Sequence, residues 1–224
     1  ISSKGSIHIY FKSNKNKTMS RKIENRKEVF AWSMYDFANQ PFTNLVVTFI
    51  YGTFFTTVIA SNQILGTQQW SHAISITAII VALLSPLMGA VADRGGYRKV
   101  FMFSFTWFTI IATTVLYFVL PGQVYRALFW FVIANVGFEM GSVFCNAYLP
   151  DISHSKNIGR ISGYGWSLGY VGGLIALALA MVFLVQAEIP IFGFGKGEVG
   201  AYENIRATNL LVAIWFAIFS IPTF

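Results

Sequence analysis

Charge is what this chain has least of. Only 11% of its 224 residues are Asp, Glu, Lys or Arg, against roughly 25% in soluble domains. A fold that covers itself with charge to stay in water is therefore excluded. Cysteine is almost absent too: Cys145 stands alone, which rules out an intrachain disulfide and a thiolate metal cluster. The three histidines, His8, His72 and His154, are scattered, so no metal site and no cofactor is expected. What fills the chain instead is apolar: 55% hydrophobic residues, 17% aromatic, with mean hydropathy +0.58.

The few charges come in blocks. None occurs between Asp36 and Asp93, between Lys99 and Arg126, or between Arg160 and Glu188. A helix needs about 20 apolar residues to cross roughly 30 Å of hydrocarbon. The first gap, interrupted by the polar stretch Gly66 to Gln69, has room for two crossings. The pattern predicts an all-α membrane protein with six helices, at about Val29 to Ile59, Trp70 to Ala92, Val100 to Leu120, Arg126 to Tyr148, Ile161 to Ala187, and Ala207 to the end. The last run is only about 18 residues long, marginal for a crossing, and Ile1 is not a start residue whereas Met19 opens a plausible beginning. The chain therefore reads as part of a longer protein: a basic tail over 1–28 and a helical bundle over 29–224, cut within the sixth helix.

Thirteen of the sixteen basic residues fall on one side. The tail holds Lys4, Lys12, Lys15, Lys17, Arg21, Lys22, Arg26 and Lys27, the second loop Arg94, Arg98 and Lys99, and the fourth loop Lys156 and Arg160. Arg126, Lys196 and Arg206 lie opposite. The positive-inside rule puts the tail and the even loops in the cytoplasm. The tail has no small-residue cleavage site, so it is no signal peptide; it reads as a solvated segment that can touch anionic lipid. The net charge of +7 is explained by this topology, and nucleic acid is not an expected partner.

Charged groups inside the membrane are costly, about 2.5 to 3.5 kcal/mol for an Asp even on the lenient insertion scale. Two carboxylates accept that cost. Asp36 lies two turns into the first helix, followed by Asn39, Gln40 and Thr43 at offsets of three, four and seven, which puts all four on one face. In the fourth helix Asn135, Glu139, Ser142 and Asn146 form a second stripe. Hydrogen-bond glue between helices is the plain alternative for such residues, but it rarely uses a group so costly to insert. A carboxyl group there suits reversible protonation, and the expectation is that one of the two couples transport to protons. Pro41 should kink the first helix and free carbonyls near the polar face. The third helix, uncharged and rich in aromatics, reads as scaffold facing lipid on most sides.

Two further patterns concern packing and turns. Gly165, Gly169 and Gly173 stand four apart in the fifth helix, a doubled GxxxG face that lets another backbone approach closely. The glycine-rich run Ile189 to Arg206 contains GFGKG without phosphate-loop spacing and reads as an external loop.

The segment GAVADRGGYRK, Gly89 to Lys99, resembles the loop GxxxDRxGRR of the major facilitator superfamily. Gly89, Asp93, Arg94 and Gly96 match, as do the basic Arg98 and Lys99, while Tyr97 replaces an arginine. WSMYDFANQPFTNLVVTFIY in the first helix, NVGFEMGSVFCNAYLPDI in the fourth and GRISGYGWSLGYVGG opening the fifth are similar to the vacuole-effluxer branch, the autophagy-related amino-acid effluxers of fungi and their bacterial relatives. That branch's patterns also cover Pro150, Asp151, Gly159, Arg160, Gly163 and Trp166. The resemblance implies the N-terminal half of a twelve-helix carrier, which would need its own C-terminal half. It implies alternating access for a small solute, amino acids among the candidates, in a bacterial inner membrane or a vacuolar membrane. The antiporter pattern of the superfamily is missing, since Tyr170 stands where its proline belongs. A channel or a non-transporting scaffold, and an integral membrane enzyme, are the competing classes. An enzyme should cluster an acidic pair, histidines or a nucleophile at one face, and no such cluster is visible.

Overall fold

The computed structural model describes residues 26–224. The expectations for the tail, including Lys4, Lys12, Lys15, Lys17, Arg21, Lys22, His8 and Met19, lie outside the described residues. Within them the protein is helical, with no strand, and has six helices long and apolar enough to cross a membrane. These are α1 (Arg26–Ile59), α2 (Gln63–Gly95), α3 (Arg98–Leu116), α4 (Val124–Ile152, loosened after Asn146), α5 (Ile158–Val185) and α6 (Glu203–Thr223, tightening to 3-10 geometry at Ile221).

The helix ends correct the sequence reading where caps decide. α2 begins seven residues before Trp70, because the Asn62 side chain accepts hydrogen bonds from the backbone N–H of Ile64 (2.8 Å) and Leu65 (3.4 Å), satisfying donors that a new helix leaves orphaned. Gly66 to Gln69 therefore lie inside a helix. Gly66 is buried against the end of α1, where a Cβ would stand 3.0 Å from Thr56 Cα and 2.7 Å from the Cβ of Ala60 just beyond it. α2 ends with Gly96 at φ 67°, the left-handed terminus that glycine adopts freely.

Pro41 frees a backbone carbonyl, but not for the polar face as expected. It has no N–H, so the carbonyl of Phe37 one turn back loses its helical donor, and a wide π-helical stretch, Phe42–Phe49, follows. That carbonyl does not serve the polar face: the Trp215 indole of α6 donates to it at 3.1 Å.

Two apolar clusters fill the bundle. One gathers Phe42, Tyr51, Phe55, Trp70 and Phe131, the other Trp32, Tyr35, Met102, Met140, Phe144 and Phe216. α3 is not lipid-facing on most sides. Met102, Thr106, Thr109, Ile110, Thr113 and Leu116 bury one face of it against α4 and α6. α2 is the span that exposes most of its surface, with Ile76, Ile79, Leu83, Leu87 and Val91 uncovered.

Candidate functional site

Two sequence features that are about 130 residues apart meet in space. The polar face of α1 lies directly on the glycine face of α5. A Cβ at Gly165 would stand 2.6 Å from Asp36 Oδ2 and 2.7 Å from Trp32 Cζ3, and one at Gly169 would stand 3.3 Å from Asp36 Cβ. Farther along, Gly173 faces Gln40 and Asn44, and Gly172 faces the Phe37 carbonyl. The small residues of α5 are thus the floor on which Asp36 and Gln40 rest.

The other faces of α1 are fixed by hydrogen bonds. The Trp32 indole donates to the Cys145 carbonyl of α4 (2.9 Å), and the hydroxyls of Tyr35 and Thr106 share a bond of 2.9 Å. Gly141 of α4 leaves room for the Tyr35 hydroxyl. Asp36 is half-buried, Asn39 buried, and Gln40 and Thr43 half-buried. Thr43 falls within the π-helical stretch, so its offset from Asp36 no longer follows 3.6 residues per turn.

On α4, Asn135 is buried, Ser142 half-buried, and Glu139 and Asn146 are exposed. Neither Asp36 nor Glu139 forms a hydrogen bond or ion pair among the described residues. The two acids therefore differ in setting. Asp36 is wedged between α1 and α5, whereas Glu139 stands on an open face of α4.

The loop between α2 and α3 is organised around Arg98. Its guanidinium donates to Asp93 (2.6 Å), to Asp151 at the far end of α4 (3.0 Å) and to the Ala147 carbonyl (3.3 Å). Arg94 and Lys99 are exposed. Nothing described approaches within 4 Å of the place a Gly89 Cβ would occupy, so the close helix contact expected there is not made among the described residues.

One network was missed by sequence reasoning. Arg206 was counted as a loop charge, but it is buried at the opposite end of the bundle and donates to the carbonyls of Tyr117 (2.6 Å) and Ala201 (3.0 Å). The Tyr117 hydroxyl donates to Glu203 (2.7 Å), which also accepts the Gly195 N–H (3.0 Å). Donation to Glu203 raises the Tyr117 pKa above its ordinary value. This network ties the run Ile189 to Arg206 to the ends of α3 and α6. Its signal in the sequence was Glu203 and Arg206, three apart, opening an apolar run. Among the described residues no three His, Cys, Asp or Glu side chains converge as metal ligands would.

Residues 70–159 match the family described as "Vacuole effluxer Atg22 like". That segment contains Glu139 and the Arg98 loop but not Asp36. A Bacillus subtilis protein named as the MFS-type transporter YxiO is 28% identical over 202 residues, covering 88% of this chain and 45% of that protein. An Aquifex aeolicus protein is 32% identical over 199 residues, covering 81% of this chain and 50% of its own. Autophagy-related protein 22 of Yarrowia lipolytica is 21% identical over 210 residues, covering 68% and 33%. The chain thus spans half or less of the length of these relatives. No solved structure matches.

Proposed function

We propose that this chain belongs with the Atg22-like vacuole effluxers, whose family model matches residues 70–159, and that, like the MFS-type transporter it resembles, it is the N-terminal half of a secondary solute carrier working by alternating access. The observation that carries this reading is Asp36, a carboxylate set within α1 against the glycine floor of α5 without a protein counter-charge among the described residues. A group so costly to insert marks a solute or ion path by default. Glu139, Asn135, Ser142 and Asn146 of α4 supply a second wall, and Gln40, Asn39 and Thr43 extend the first. Carriers of this kind bind solute near the membrane midplane between repeats, so the C-terminal half completes the cavity.

The substrate is a small polar solute, with amino acids the first class to test, and one of the two carboxylates carries the coupling proton. The Arg98 loop, with Gly89, Asp93, Arg94, Gly96 and Lys99, holds one conformation by tying α2 and α3 to the end of α4. The N-terminus is cytoplasmic: with Arg206 buried, the opposite side keeps only Arg126 and Lys196 as exposed basic residues, which strengthens the bias. A bacterial inner membrane is the setting proposed.

The test is uptake by the full-length protein in proteoliposomes. Saturable uptake with counterflow is expected. Electrodiffusive flux or no flux for any amino acid or related solute would defeat the carrier reading. Glu139→Gln should abolish the pH dependence of uptake or uptake itself; if both are unchanged, Glu139 has no part in the mechanism, and Asp36→Asn then decides for the other acid.

A further inference from the structure

The seam between α3 and α6 holds buried polar groups that no described residue serves. Asn209 of α6 is 0% exposed, and neither its amide nitrogen nor its amide oxygen has a hydrogen-bond partner. Thr113 of α3 is 1% exposed, and its hydroxyl is likewise unpartnered. The other threonines of α3 behave differently. Thr106, Thr109 and Thr114 each donate to the carbonyl four residues back, those of Met102, Phe105 and Ile110. Thr113 keeps its hydroxyl off its own helix.

Two anchors bring the pair together. At one, Tyr35 of α1 shares a hydrogen bond with Thr106 of α3 and meets the Phe216 ring of α6 at 5.8 Å. At the other, the Arg206 guanidinium of α6 donates to the Tyr117 carbonyl just past α3 (2.6 Å). The two helices are therefore antiparallel. Thr113 stands seven residues after Thr106, and Asn209 seven residues before Phe216. Seven residues make nearly two turns and about 10 Å of rise, so each side chain returns to the shared face at the same depth. The second anchor agrees, with Asn209 three residues from Arg206 and Thr113 four from Tyr117.

The open valences define what fits between them. A buried polar group left unsatisfied costs roughly 1–3 kcal/mol, and lipid supplies no replacement bond. A cation would use the amide oxygen but face the amide N–H groups, and it would lie within a turn of the buried Arg206 guanidinium. An anion would use the N–H groups but meet the amide oxygen. A neutral molecule that both donates and accepts suits both ends of the amide, and enclosure on all sides demands a small one. Water in an enclosed site needs about two to four polar partners; Asn209 Nδ2, Asn209 Oδ1 and Thr113 Oγ1 are available to it.

We infer that Asn209 and Thr113 form a site for an ordered water that bridges α6 to α3. The site lies apart from Asp36 and Glu139 and contains no charged group.

A cryo-EM map of the full-length protein, at a resolution that shows solvent, tests it directly. A peak within about 2.7–3.2 Å of Thr113 Oγ1 and of the Asn209 amide is expected. No peak, a direct bond between the two side chains, or a peak at the distances of about 2.0–2.6 Å that a hard cation takes overturns the proposal. A thermal double-mutant cycle in the same protein gives a second reading. Thr113→Val and Asn209→Leu should each lower the midpoint by about 1–6 °C, because each leaves the opposite polar group short of its bridge. The double variant should lose less than the sum, since it leaves neither group to satisfy. Losses that simply add overturn the bridge.

Discussion

Alanine placed along the glycine face of α5 should produce a graded loss of stability that follows the contact each new methyl would make. At Gly163 nothing lies within 4 Å of a Cβ, and at Gly169 the nearest atom, Asp36 Cβ, is at 3.3 Å. At Gly172 the methyl would collide with the Phe37 carbonyl oxygen and stand 3.1 Å from its carbon. Backbone cannot rotate away as a side chain does, so α1 and α5 must separate. Alanine favours a helix interior over glycine by about 1 kcal/mol at each of these positions, and that gain cancels between variants. The difference between Gly172→Ala and Gly163→Ala is then the overpacking cost, about 1–3 kcal/mol. For a chain of this size that corresponds to roughly 2–12 °C in Tm, and the displaced carbonyl also endangers the Trp215 bond. Tryptophan fluorescence during thermal unfolding measures it, since Trp32 and Trp215 both report on the seam. Equal midpoints for Gly172→Ala and Gly163→Ala would refute the packing argument.

Asn62→Ala removes the side-chain acceptor at the start of α2 and should cost about 0.5–2 kcal/mol, read by the same unfolding assay. Arg206→Met leaves the Tyr117 and Ala201 carbonyls without their charged donor and should cost about 3 kcal/mol or more, with limited proteolysis within 186–202 as the local readout. The raised Tyr117 pKa means that the folded state holds that proton more tightly than the unfolded state. Its contribution is full below about pH 10, is lost as pH rises through the folded value, and should vanish in Tyr117→Phe, as alkaline unfolding curves will reveal. Asp151→Asn breaks one arm of an exposed pair and should cost no more than about 1 kcal/mol, so any large effect on uptake from this variant arises from the conformational equilibrium and not from unfolding.

The spans were legible because charge is so scarce that its gaps mark hydrocarbon, whereas the 3.6-residue spacing that grouped the polar residues is local information that the π-helical stretch at Thr43 and the unequal burial of Asn135 and Glu139 override. What each stripe packs against was not legible either. Nothing in the periodicity of α5 says that its glycines face Asp36, since GxxxG specifies a close approach and not its partner. The same holds for Pro41: the missing N–H announces a freed carbonyl, but the claim of Trp215 on it depends on how α6 crosses α1. Gly66 to Gln69 misled because polar residues in an apolar context read as a loop, whereas the cap at Asn62 and the contact of Gly66 with Ala60 make them the first turns of α2. Arg206 misled for a related reason. Burial of an arginine is decided by carbonyls from α3 and the loop, and those are distant in sequence.

The two carboxylates, equal in the sequence, are unequal in the fold, and the difference bears on how each can be probed. The apolar clusters meet along α1 near Asn39 and along α4 near Asn135, the region in which α5 presents glycine instead of bulk. A polar side chain there is flanked on both sides by packed aromatics, so its surroundings are fixed. Asp36 has α5 pressed against it, and changing its size or charge disturbs the seam that Trp32 and Phe37 also depend on. Glu139 touches no such seam and stands open on α4. On the proposed reading the solute or proton reaches Glu139 without rearranging this half, and reaches Asp36 only along the edge that α5 leaves uncovered. A Glu139 variant should therefore change transport with stability intact, whereas an Asp36 variant should change both, and restoring stability with a compensating substitution on α5 would separate the two roles.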